Sequence, residues 1–211
     1  MWRFVSVISL TVVGCAGSMW VKRPANEKVD EAITRQWADE IRASASSGDW
    51  IMARSYTLLG DMITLATGGD EYSHSAIYDA ERGTVIEAIS PVVREVPLDV
   101  FVHRYHHLVV VRPAELGEKD LHESLLRARA QIGVPYDHLG LLGLDDPQRF
   151  YCSEFLPWAI RAEERGIEVP KVVGPSHLTG YGEVVYYSGA REDMVARGLV
   201  NDAPRFAARS R

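Results

Sequence analysis

Cys152 stands in the run Phe150-Tyr151-Cys152-Ser153-Glu154-Phe155, where a loop gives way to a helical pattern. A thiol at the start of a helix meets free backbone N–H groups and the positive end of the helix dipole. Both favour the thiolate, the nucleophilic form of cysteine. The same N–H groups, that of Ser153 among them, can hold an oxyanion as it develops on a substrate carbonyl. Acyl transfer is the chemistry such a sulfur could perform. The competing expectation is an inert, buried thiol, because free cysteine usually behaves as a small hydrophobe.

A cysteine nucleophile needs a base, and the base an orienting group. Ser73-His74-Ser75-Ala76-Ile77 begins a strand with His74 at its mouth, and Glu87 lies in the next strand-like run, Val85-Ile86-Glu87-Ala88. Paired as a hairpin, these runs would make His74 and Glu87 cross-strand neighbours. The carboxylate would then hold the imidazole in one tautomer and stabilise its charged form. Glu87 is flanked by apolar residues, and a carboxylate there is costly to bury without a partner. Taken singly, His74 also reads as a hydrogen-bonded structural histidine, and Glu87 as a strand residue facing water.

The elements that must position these groups are legible in outline. Val29, Ile33, Trp37 and Ile41 recur every fourth residue, so Glu27 to Ser46 is expected to be a packing or spacer helix, with acids in its first turn. Trp50 to Ala53 reads as a strand, and Leu58 to Thr67 as a short helix or loop. Tyr72 to Tyr78 and Thr84 to Ile89 form a hairpin about the turn Glu81-Arg82-Gly83. Pro97 to His103 fits a short helix, and Leu108 to Arg112 a strand buried on both faces. Glu118 to Ile132 is helical, with Gly133 just beyond it. A loop from Val134 to Gln148 leads to a helix from Cys152 to Glu164, in whose first turns Pro157 is tolerable. The last strand is Glu183 to Tyr187, and the tail after Asn201 is expected to be disordered. The mixed order predicts an α+β fold rather than a parallel doubly wound sheet.

Composition narrows the function classes. With 211 residues and a net charge of −6, the chain lacks the excess of basic residues that nucleic-acid binding calls for. Two cysteines, Cys15 and Cys152, cannot build a disulfide scaffold or a multi-cysteine metal module. The N-terminus, MWRFVSVISLTVVGCAGS, carries a single positive charge, then an apolar stretch from Phe4 to Val13 that is too short to span a bilayer. Its ending Val12-Val13-Gly14-Cys15 resembles a bacterial lipobox, which implies lipidation of Cys15 and a membrane-anchored place in the cell envelope. His103, His106 and His107 cluster around Tyr105 and read as a polar loop rather than a metal site. Asp145-Asp146 reads as a solvated turn, and Tyr181, Tyr186 and Tyr187 as strand packing.

Taken in order, Gly48-Asp49-Trp50-Ile51, Ser73-His74-Ser75-Ala76-Ile77, Val85-Ile86-Glu87-Ala88, Val134-Pro135-Tyr136-Asp137 and Tyr151-Cys152-Ser153-Glu154 resemble the YiiX-like branch of the NlpC superfamily. Those are circularly permuted papain-like proteins, in which the sheet precedes the cysteine helix. The resemblance spans about Gly48 to Tyr187, and Pro175-Ser176-His177-Leu178 matches its closing segment. It implies an antiparallel sheet packed against helices, with Cys152 as nucleophile at the start of a late helix, His74 as base and Glu87 as orienting residue. Asp49 and Tyr136 match structural or pocket-lining positions, and Tyr151 is a further pocket candidate. The expected organisation is a signal segment 1–15, a linker and helix 16–47, the catalytic domain 48–190 and a tail 191–211. The chemistry implied needs no cofactor or metal. Its substrate would be a cell-wall peptide or related small amide, cleaved through a thioester. Alternatives are acyl-lipid chemistry of the lecithin retinol acyltransferase type, whose members share the permuted order, and a non-catalytic envelope binding module.

Overall fold

Alternation of apolar residues builds one six-stranded sheet in the computed structural model, which describes residues 17–69, 71–144 and 146–198. The strands are β1 (Trp50–Ser55), β2 (His74–Asp79), β3 (Thr84–Ile89), β4 (Val92–Pro97), β5 (Tyr105–Pro113) and β6 (Gly182–Tyr187). Their order across the sheet is β4-β3-β2-β1-β5-β6, and every pair is antiparallel. The helices are α1 (Glu27–Ser44), α2 (Leu58–Ala66), α3 (Leu98–His103), α4 (Glu118–Arg129), α5 (Cys152–Ala159) and α6 (Arg191–Ala196).

Side chains alternate across each strand, so the sheet carries a separate core on each face. Trp50, Met52, Ile77, Ile86, Val109 and Val111 meet α4 and α5 on one face. Ile51, Ala53, Ala76, Tyr78, Val85 and Val110 meet α1 and α3 on the other. The α1 stripe buries Ile33, Trp37 and Ile41 completely, and Asn26 caps the helix by accepting from the N–H groups of Lys28 and Val29. The helix is thus a packing element of the sheet. Arg191 of α6 is fully buried beneath it, donating to Asp30 and lying 4.6 Å from the Trp37 ring centroid. The α+β architecture is therefore as the sequence implied.

Several local expectations need correction. β4 was not anticipated, because Arg94 and Glu95 interrupt its apolar pattern. As an edge strand it needs only one buried ladder, and both charges are paired: Arg94 with Glu87, and Glu95 with Arg129. His106 and His107 lie inside β5 rather than in a loop, and both are buried. The cysteine helix ends at Ala159, five residues short of the expected Glu164. Pro157 is its sixth residue, beyond the first turn, and cannot supply the N–H that the Ser153 carbonyl would receive. Two residues past its end Arg161 takes a left-handed φ of 55°. α4 stops at Arg129 instead of Ile132. Cys15, Asp145 and the tail beyond 198 lie outside the described residues, as do the expectations that fell on them.

Candidate active site

β2 and β3 share a register only from Ile77↔Ile86 to Asp79↔Thr84. Toward the mouth of β2 they part, and α5 begins there. Cys152 is the first residue of that helix. The Ser75 backbone N–H lies toward the Cys152 sulfur and helps to hold the thiol pKa down against burial.

His74 and Glu87 occupy the same face of the parted strands, in line with Ala76 and Val85. The His74 ring bonds through Nε2 to Glu87 Oε2 at 2.7 Å, and it lies close enough to the Cys152 thiol for each to shift the other's titration. With Nε2 taken by the carboxylate, Nδ1 is the ring atom left for the sulfur. Tyr105 stacks on the imidazole, with centroids 5.6 Å apart and planes 13° from parallel. The structure therefore gathers Cys152, His74 and Glu87 from elements 13 to 78 positions apart in sequence.

All three groups are buried, with Cys152 at 1%, His74 at 7% and Glu87 at 0% exposure. Burial by itself would neutralise each of them. For His74 the bonds to Cys152 and Glu87 outweigh burial and raise its pKa to about 9. Burial pushes the Cys152 thiol up, but His74 more than reverses this and the pKa falls below its ordinary value. For Glu87 burial is again opposed, first by the His74 bond and then by Arg104, and its pKa drops to about 2. The arrangement favours a thiolate–imidazolium pair backed by a carboxylate.

Two arginines in the site were missed in the sequence. Arg104 donates to Glu87 Oε1 at 2.7 Å and Arg94 at 2.9 Å. Arg94 is the residue directly opposite Glu87 on β4, so recognising that strand would have revealed it. Arg104 closes α3 and carried no pattern that pointed here; its guanidinium also lies 5.4 Å from both the Phe101 and Tyr105 ring centroids. The demand that a buried Glu87 find partners was the one available signal.

The remaining candidates are spread out. The Ser153 hydroxyl donates to the Val173 carbonyl at 2.6 Å, while its sulfur neighbour sits 4.0 Å away. Tyr136 is half-buried; burial pushes its phenol well above the usual range and the nearby Cys152 charge adds to this. Tyr151 is buried and its hydroxyl accepts the Val173 N–H at 2.9 Å. Asp49 is fully buried and takes two bonds from Arg112, at 3.1 and 2.8 Å, that pin the start of β1 to β5. A groove of about 860 Å³ runs along Tyr151, Glu154 and Trp158, without Cys152 in its lining. Among the described residues no group of three or more His, Cys, Asp or Glu is arranged to hold a metal ion.

A family model described as permuted papain-like amidase enzyme, YaeF/YiiX, C92 family, matches residues 44–174, more than half of the chain. Among solved structures, the crystal structure of the metalloprotein YiiX from Escherichia coli O157:H7 is similar at 23% identity and a TM-score of 0.48, covering 58% of this chain and 68% of that one. A search of curated proteins found no match.

Proposed function

Since the chain belongs to the permuted papain-like amidase family of the YaeF/YiiX type, we propose that it is a cysteine amidase in which Cys152 is the nucleophile, His74 the acid–base and Glu87 the orienting carboxylate. The observation that carries this reading is the convergence of the Cys152 thiol and Glu87 on the buried His74 ring, which is bonded to the carboxylate at 2.7 Å and whose pKa both neighbours raise. The thiolate attacks an amide carbonyl, and the oxyanion is held by N–H groups at the start of α5, that of Ser153 among them. His74 gives its proton to the departing amine, and the C–N bond breaks to leave a thioester on Cys152. His74 then takes a proton from water as it attacks the thioester, releasing the free thiolate and a carboxylic acid that gives its proton to solvent. Because the sulfur is almost fully covered, a substrate must displace a neighbour, and the half-buried Tyr136 is the side chain assigned to the entrance, with Tyr151 behind it.

The substrate assigned is a peptide-like amide of the cell wall or a small relative, reached by a chain anchored to the envelope membrane through Cys15. Peptidoglycan fragments and phospholipid vesicles are incubated in parallel with the purified protein and with Cys152→Ser, and products are read by mass spectrometry. Amide cleavage that disappears in the variant, with a hydroxylamine-sensitive acyl adduct on Cys152, is the expected result. Acyl transfer from phospholipid would replace the amide reading with the lipid one. An ordinary thiol titration near about 8.5, unchanged by His74→Ala, would remove the catalytic assignment altogether.

A further inference from the structure

α2 is built inside out. Its inward positions are Gly60, Asp61 and Thr64, all buried, whereas Leu59, Met62 and Leu65 are 44%, 52% and 61% exposed. The polar positions turn inward because Asp61 is the hub of a buried cluster. It pairs with Arg54 of β1, accepts the Ser18 hydroxyl at 2.7 Å and accepts the Met19 N–H at 2.7 Å. The periodicity of the helix then forces its apolar side chains outward.

The same cluster ties the chain segment 17–21 against α2. Gly17 bridges to Thr57, and the Ser18 N–H donates to the Tyr56 carbonyl at 2.8 Å. The Ser18 hydroxyl also accepts the N–H groups of Trp20 and Val21, which holds Met19 and Trp20 in place beside the helix at 65% and 53% exposure. Five large apolar side chains are thus held at the surface by buried polar bonds, a pattern that marks an interaction site. Lys22 follows immediately and is exposed.

We infer that Leu59, Met62 and Leu65 of α2, together with Met19 and Trp20, form a membrane-docking surface that dips into the interface of a lipid bilayer. A lipid surface is the occupant because of where the chain leads. Cys15, the residue proposed to carry the lipid anchor, stands two positions before Gly17, and Gly17 enters the fold at Thr57, at the N-terminal end of α2. A bilayer holding that anchor therefore lies next to α2. Lys22 suits anionic headgroups, and a tryptophan suits the interfacial depth. The inference rests on the proposed membrane attachment but not on the proposed chemistry. β1, which ends just before α2, pairs Ala53 with His74 at the start of β2, so docking here brings that end of the sheet toward the membrane.

The test uses the chain bearing its Cys15 lipid on vesicles of phosphatidylethanolamine and phosphatidylglycerol, with brominated acyl chains as the quencher. Trp20 fluorescence, isolated as the difference from Trp20→Phe, is expected to be quenched. Amides of 58–66 are expected to gain hydrogen-exchange protection only when vesicles are present. Met62→Glu and Leu65→Glu, which change exposed positions, are each expected to weaken partitioning about tenfold with unchanged circular dichroism. Vesicle binding without quenching or protection overturns the surface while leaving an N-terminal anchor in place. Protection already complete without vesicles also overturns it, by assigning the face to a contact within the protein. Failure of the lipid-bearing chain to bind vesicles overturns both surface and anchor, and none of these results bears on Cys152.

Discussion

At the residue scale, the site turns on which groups stay charged in a place where burial opposes charge. His74, with a pKa of about 9, keeps its proton through neutral pH because the thiol and Glu87 supply opposite charge on both sides. Activity is therefore expected over a window that opens as Cys152 loses its proton and closes as His74 loses its own near 9. Glu87→Gln removes the carboxylate and draws the His74 pKa back toward its ordinary 6.5, so the alkaline limb of the kcat/KM profile is expected to move to lower pH by about one unit or more, with kcat reduced. A limb left near 9 would separate Glu87 from the catalytic unit. His74, Glu87 and Cys152 were each visible in the sequence as residue types in suitable settings. Arg94 and Arg104 were not, because nothing in the local pattern around an arginine says which buried carboxylate it will reach.

At the element scale, short contacts hold the start of α5. Gly140 lies against the Tyr151 ring, and a β-carbon there would come within 2.4 Å of Tyr151 Cδ1 and 2.8 Å of Asp137 Oδ2. Gly140→Ala is expected to displace Tyr151 and with it the adjoining Cys152. Steady-state assays should show kcat lowered about tenfold or more, since reacting groups tolerate little misplacement, while thermal unfolding shows only a modest overpacking loss. α1 acts on stability instead. Trp37 is fully buried on the sheet face that also carries His74, and Trp37→Ala is expected to cost about 4 kcal/mol in urea unfolding. The α1 stripe was readable because helical periodicity is a local property. The early end of α5 at Ala159 was readable in principle from Pro157, once its depth in the helix is counted.

At the scale of the whole molecule, the two cores share one sheet, and the charged site sits between its parted strands, so folding and titration are linked. Glu87 has a folded pKa of about 2, below its ordinary value of 4.5. Its contribution to stability is present above about 4.5 and is lost as pH falls toward 2, by at most on the order of 3 kcal/mol. Urea unfolding at pH 6 and pH 3 should show a smaller acid loss in Glu87→Gln than in the parent chain. On the alkaline side the raised His74 and the lowered Cys152 act oppositely. The His74 contribution is lost as pH rises toward 9, whereas the Cys152 contribution is lost as pH falls, so the two offset one another. The amino-acid sequence by itself determined the order of strands and helices other than β4 and α6, the apolar stripe of α1, the helix start at Cys152 and the permuted sequence of motifs, because these follow from periodicity and local backbone chemistry. Tertiary structure alone decided that β2 and β3 part, that β4 covers the edge with Arg94, that Arg104 reaches Glu87 and that α2 faces its leucines outward. Each of those depends on which distant group satisfies a buried charge or a freed N–H, and such partners are chosen only when the chain closes on itself.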